Sequence, residues 1–228
     1  HARQPQPADG ATDLDPETTL SWRAGREASS HDVYLGPTPD TLSLVDSFAE
    51  PKLAPTDLQL GSTYYWRVDE VNEVAAVTTW VGDVWSFAVR PYVVVDDMES
   101  YTDDIDAGET IFDTWIDGWV HGSGSVVGYF DAPFAEQTLV HGGRQSMPLE
   151  YDNTASPNYS ETTRAFDTPQ DWTAHGVQSL SLYFQGRTGN TGQLYLKIDD
   201  TKVSYDGDAA DIGRAIWQVW NVDLSTVG

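Results

Sequence analysis

The sequence predicts an all-β protein of two β-sandwich domains. Helix-period patterning is nearly absent, and short runs rich in Val, Thr, Tyr, Trp and Phe recur between Gly, Pro, Asn and Asp. The 228 residues exceed a single domain of about 100–150 residues. A short proline-containing break, Arg90-Pro91, separates two β-rich stretches and places the domains at about 1–91 and 92–228. So short a junction is stiff rather than a tether.

In the first stretch the expected strands are Thr18–Ala24, His31–Leu35, Leu42–Asp46, Thr63–Val71 and Val84–Val89. The fourth alternates clearly: Tyr64, Trp66 and Val68 share one face, and Tyr65, Arg67 and Asp69 the other. Trp22, Val33, Leu35, Trp66, Val68, Trp85 and Phe87 are the expected core of a small sandwich. In the second stretch the β-rich segments are Val93–Tyr101, Gln145–Asn153, Arg164–Thr173, Leu180–Gly186, Gly192–Asp200 and Ile216–Ser225. Leu180, Leu182 and Phe184 alternate with Ser181 and Tyr183, and Leu194, Leu196 and Ile198 with Tyr195 and Lys197. Antiparallel strands joined by acidic, glycine-rich loops fit a two-sheet jelly roll.

Charge narrows the function classes. Asp and Glu number 36 against 12 Lys and Arg, a net charge of −24, which repels phosphate backbones and anionic lipid. Nucleic acid and membrane surfaces are therefore poor partners. No run approaches the roughly 18–20 apolar residues of a membrane span. The absence of cysteine excludes disulfides, thiolate metal sites and cysteine nucleophiles. The acids are mostly aspartate, which favours turns and caps and suits hard, oxygen-ligated cations such as calcium; they equally suit a solvated surface. No signal peptide is visible, and His1 is the kind of residue that processing or cloning leaves behind.

The first stretch resembles fibronectin type III domains. LQLGSTYYWRV (Leu58 to Val68) is similar to the family's L-x-P-G-T-x-Y-x-x-x-V stretch, with Leu60 in place of the proline, and Trp22 in LSW and the opening PADGATDL also match. The resemblance puts Tyr64 at the tyrosine corner, where its hydroxyl bonds nearby backbone. It implies a spacer without catalytic residues. The whole chain, through TYYWRVDEVN, VWSF, VDDMESY, TWIDG, HGGRQSMPLEYDN, QDWT and WQVWNVDLS, resembles secreted multidomain proteins of planctomycete-type bacteria, and more distantly carbohydrate-binding jelly rolls. That implies a secreted, extracellular or cell-surface location. Such modules continue beyond the WNVDLS segment, whereas this sequence stops at Gly228. The resemblance therefore leads us to expect a jelly roll without its last strands, by truncation or because another chain supplies them.

Candidate sites follow from chemistry. Asp97 and Glu99, at i and i+2 of an expected strand, would share a face and reach one cation. The likeness to carbohydrate-binding jelly rolls makes the pair a structural calcium position. Flat aromatic rings stack on the apolar faces of sugars while amides and guanidinium groups bond the hydroxyls. Trp115 and Trp119, in TWIDGW with Gly118 for the turn, lead a set that includes Tyr129, Phe130, Tyr159 and Trp172; Arg144 and Gln145 supply polar contacts. Trp217 and Trp220 are expected to pack. The five histidines, His1, His31, His121, His141 and His175, show no metal-ligand spacing. There is no G-x-S-x-G elbow, GSGSVVG lacks the lysine of a phosphate loop, and 36 acids do not single out a catalytic pair. The expected function is non-enzymatic binding of a glycan or protein partner by the second domain. The alternative is a structural subunit of a filament or surface layer, in which copies of the chain complete one another's sheets.

Overall fold

Residues 1–227 are described by the computed structural model of the chain. They form two compact units, His1–Val93 with Ala174–Val177, and Val94–Thr173 with the residues from Gln178 on.

In the first unit, β1 (Arg3–Gln6), β3 (Leu20–Arg23) and β6 (Lys52–Leu53) form one antiparallel sheet. The other sheet has the order β2 (Ala11–Leu14), β9 (Val84–Val89), β7 (Thr63–Val71), β4 (Ser30–Gly36) and β5 (Ser43–Phe48), with β8 (Thr79–Trp80) paired to β7. The chain changes sheets between β1 and β2, where Pro7 has no N–H to give a ladder. β2 then runs parallel to β9. Strand β7 organises the unit: Val33 lies opposite Val68, Leu35 opposite Trp66, and Trp85 opposite Trp66 on the other side. Alternating β-branched and aromatic residues put one row inward. The core is Ala2, Leu20, Trp22, Val33, Leu53, Leu58, Trp66, Val68, Trp85, Phe87 and Val89. Six of the seven expected core residues are buried, and Leu35 packs against them partly exposed. The tyrosine corner is present: the Gln59 N–H donates to the Tyr64 hydroxyl at 2.8 Å.

Alternation fails at the end of β7, where Asp69 and Glu70 are both buried. Asp69 accepts from Arg67 at 3.0 Å and from the Gly82 amide at 3.0 Å. Glu70 Oε2 lies 2.7 Å from His31 Nδ1, and its Oε1 accepts from the Gly25 amide at 3.1 Å. Buried carboxylates persist only when their lone pairs are met in this way.

The second unit is also β, but its strands pair two by two. The ladders are β10 (Trp115–Ile116) with β13 (Thr163–Arg164), β11 (Ser125–Val127) with β12 (Leu149–Tyr151), β14 (Ser179–Gln185) with β17 (Trp217–Asp223), and β15 (Tyr195–Ile198) with β16 (Thr201–Ser204). Two single-turn helices, α1 (Ile111–Thr114) and α2 (Gly118–His121), flank β10. One apolar cluster holds Tyr101, Ile111, Val127, Phe134 and Ala135, with Met98, Phe112, Trp115 and Met147 against it.

Three expectations need correction. Val93–Tyr101 forms no strand. Asp96 and Asp97 accept from the amides of Met98 and Glu99 at 2.8 and 3.0 Å, and Met98 takes a φ of +65°. Side chains that bond their own backbone two residues on turn the chain and displace a ladder. Gln145–Asn153 keeps strand only at Leu149–Tyr151, and Arg164–Thr173 only at Arg164, the last residue of Thr163–Arg164. Trp220 is buried, but Trp217, three residues away on the same strand, lies on the opposite face and is only half-buried.

Candidate functional site

The sites of the second unit rest on carboxylates that accept several bonds each. Asp96 Oδ2 accepts from the Tyr101 hydroxyl at 2.5 Å, from Trp115 Nε1 at 2.9 Å and from the Arg164 guanidinium. Burial, then the bond to Asp96, pushes the Tyr101 hydroxyl up to about 12. Trp115 is thereby tied by its indole to a buried acid and packed into the apolar cluster. Trp115, expected in a loop, lies instead in β10, half-buried and with its indole N–H committed to an acceptor.

Asp117 is the second such acid. Its Oδ1 caps α2 through the Trp119 amide at 3.0 Å, and its Oδ2 takes the Val127 amide at 2.8 Å. Gly118 is required for closeness rather than for a left-handed turn: a Cβ there would collide with the Ser123 carbonyl oxygen. The outcome is a pinned backbone from which Trp119 projects, 77% exposed. Phe130 is likewise 78% exposed. Tyr129 is half out of the protein, with its hydroxyl on Glu136, and that bond, then burial, raises the hydroxyl to about 12.

Glu99 is the third. Its Oε1 accepts from the amides of Arg144 at 2.7 Å and Gln145 at 3.2 Å, and its Oε2 from Arg144 Nε at 3.1 Å. The Arg144 amide leads the effects that hold this carboxyl below its usual range, and burial opposes them. Gly143, at φ +72°, lets the Gly-Gly-Arg-Gln turn close on the carboxylate, which a Cβ would hit. Gln145 spends its amide donors on the carbonyls of Met98 and Tyr101 at 2.6 and 3.0 Å. Gln145 therefore positions a loop, while the Arg144 side chain stays 81% exposed.

The donors at Asp97 and Glu99 do not fit a calcium ion. Asp97 is turned to the Glu99 amide, the Glu99 oxygens are taken by Arg144 and Gln145, and no strand aligns the two. Among the described residues no group of three or more His, Asp or Glu is placed to hold a metal.

What the structure does bring together is Glu99, Arg144 and Gln145, around a cleft of about 730 Å³ that Tyr101, Thr102, Gln137 and Thr138 also line. Trp115, Trp119 and Tyr129 are not part of it. Beside Val140, which lines the cleft, His141 stacks on Tyr183 (centroids 3.7 Å apart, planes 18°) and meets Trp217 edge-on at 5.5 Å. Sequence reasoning passed over this trio. The signal was there in the spacing of Trp217 and Trp220, since two residues three apart on a strand face opposite ways.

The fold thus defines an all-β protein whose first unit is a fibronectin type III-like sandwich, by its strand order and its tyrosine corner. No family model matches the chain. No curated protein matches it. Among solved structures it is similar to an Fn3-like protein from Clostridium thermocellum, with 19% identity over 38% of this chain and 92% of that one and a TM-score of 0.30. It is also similar to a protein described as FN3tt mut, with 17% identity over 40% of this chain and 96% of that one and a TM-score of 0.28. Among the described residues no helix is long and apolar enough to cross a membrane.

Proposed function

We propose that the chain is a non-enzymatic extracellular or cell-surface module whose second unit, of the carbohydrate-binding jelly-roll type, binds glycans, with the first unit as spacer. The observation that carries this reading is Trp119, 77% exposed on a backbone fixed by the buried Asp117. An indole presented at that exposure on a pinned turn supplies apolar contact area at little entropic cost. Electrophoresis through gels containing soluble neutral polysaccharides tests it. The intact chain is retarded by at least one polysaccharide, and Trp119→Ala migrates closer to its rate in a plain gel. Equal retardation of both removes Trp119 from the site.

The open ladders favour a second reading, a structural subunit completed by its neighbours. Among the described residues every strand of the second unit pairs with a single partner, so each ladder leaves backbone donors and acceptors on both edges. Light scattering over a concentration series distinguishes the readings. Growth to open-ended assemblies supports the subunit, and a constant mass at 25.2 kDa rejects it.

A further inference from the structure

The ladder of β14 and β17 has two unlike faces. Leu180, Leu182 and Phe184 share one with Trp220 and Val222, of which the last two are buried. The other carries Ser181 opposite Asn221, Tyr183 opposite Val219, and Gln185 opposite Trp217. On that face Tyr183 and Val219 are 49% and 48% exposed. His141, reaching over from the loop after β11, lies flat on Tyr183 and against the edge of Trp217. Burial alone does not explain three rings gathered on a surface. An exposed histidine that stacks on an exposed tyrosine keeps both rings fixed and partly wet.

The polar groups around the rings are available. Ser181 donates to Asn221 Oδ1 at 2.6 Å, which leaves the side-chain N–H groups of Asn221 free of that bond. Neither they, nor the Gln185 amide, nor the His141 ring nitrogens make a hydrogen bond among the described residues. Rigid rings with free amides beside them are the two components a sugar needs, an apolar floor for its C–H face and donors and acceptors for its hydroxyls.

The face and the cleft share one loop. Val140, Gly143, Arg144 and Gln145 line the cleft, and His141 sits in the same loop. A ligand that covers both is a chain of sugars rather than one ring. A net charge of −24 weighs against polyanions. Flat stacking on Tyr183 requires only one pyranose face free of axial hydroxyls, the C–H face that meets the ring.

We propose that the His141–Tyr183–Trp217 face, on the loop that also lines the Glu99–Arg144 cleft, is a glycan platform, and that it takes a neutral chain of hexopyranoses. The proposal rests on the glycan-binding reading above and adds a second stacking face to Trp119. Titration calorimetry of the full chain with cellohexaose, laminarihexaose and polygalacturonate tests it. The intact chain binds at least one of the two neutral glucans. Tyr183→Ala and His141→Ala, each checked by its melting curve, weaken that binding by about tenfold, while Tyr183→Phe, which keeps the ring, binds as the parent does. Neutral-glucan binding that survives Tyr183→Ala and His141→Ala but is lost in Trp119→Ala overturns the platform and leaves the glycan reading in place. Binding to polygalacturonate alone overturns the assigned ligand class. No binding to any of the three overturns both.

Discussion

The two units solve the same problem by different means. The first gathers eleven buried apolar residues between two sheets, and its central strand β7 has ladder partners on both sides. The second has a smaller apolar cluster and no ladder wider than two strands among the described residues. Its loops are instead drawn together by Asp96, Glu99, Asp117, Glu161 and Asp211. Glu161 accepts from Lys197 at 2.7 Å and Tyr195 at 2.6 Å, and Asp211 from Tyr205 at 2.6 Å. Each acid gathers donors from segments that no continuous sheet ties together. The abundance of aspartate, which invites a reading as solvated surface or cation ligand, is at these positions a structural device.

The largest effects come from removing the centre of either arrangement. Trp66→Ala empties the middle of the first core, where Trp66 is fully buried, and costs about 3–5 kcal/mol; chemical denaturation measures it. In the second unit Asp96→Ala leaves the Tyr101 hydroxyl, the Trp115 indole and the Arg164 guanidinium without their shared acceptor. That loss is about 3 kcal/mol, within the range for breaking a buried pair. If Asp96→Ala is as mild as a surface change, the carboxylates are ornament and the apolar cluster alone holds the unit.

Tyr64→Phe is smaller. It deletes the bond from the Gln59 amide and keeps the ring stacked on Phe87 at 5.6 Å, for a cost of about 1 kcal/mol. Smallest of all is the response to cations. With the oxygens of Glu99 occupied by Arg144 and Gln145, adding calcium or a chelator leaves the melting temperature unchanged. A melting temperature that climbs with calcium concentration would show linked binding to the folded chain.

The same contrast explains what the sequence made legible. Strand periodicity located β7 and β9 at their observed bounds, and the inward row from Trp22 to Phe87 came with it, because apolar alternation is a local signal of burial. The tyrosine corner followed from a motif whose spacing encodes one bond. The second unit was less legible. Its segments from Val93 to Tyr101 have strand composition, yet Asp96 and Asp97 redirect the backbone, and a side chain that competes with a ladder leaves no periodic trace. Among the candidate residues, Trp119 is exposed, whereas Trp115 and Gln145 each donate to an acceptor far away in sequence, which local patterning does not reveal. Arg144 and Glu99 were singled out for different sites and meet each other.

The most direct test of this division is amide hydrogen exchange followed residue by residue as the pH is lowered. The folded Glu99, Glu136 and Glu161 carboxyls lie below their usual range. For Glu161 burial acts in the opposite sense and is outweighed by Lys197 and Tyr195. A carboxyl depressed by folding contributes stability above its unfolded value, about 4.3, and that stability is lost as pH falls through the folded value. All three acids belong to the second unit. Protection in β11, β12 and β14–β17 therefore fails on acidification before that in β4, β7 and β9, where the larger apolar core surrounds the bonded Asp69 and Glu70. Loss of protection in the first unit before the second would contradict the account.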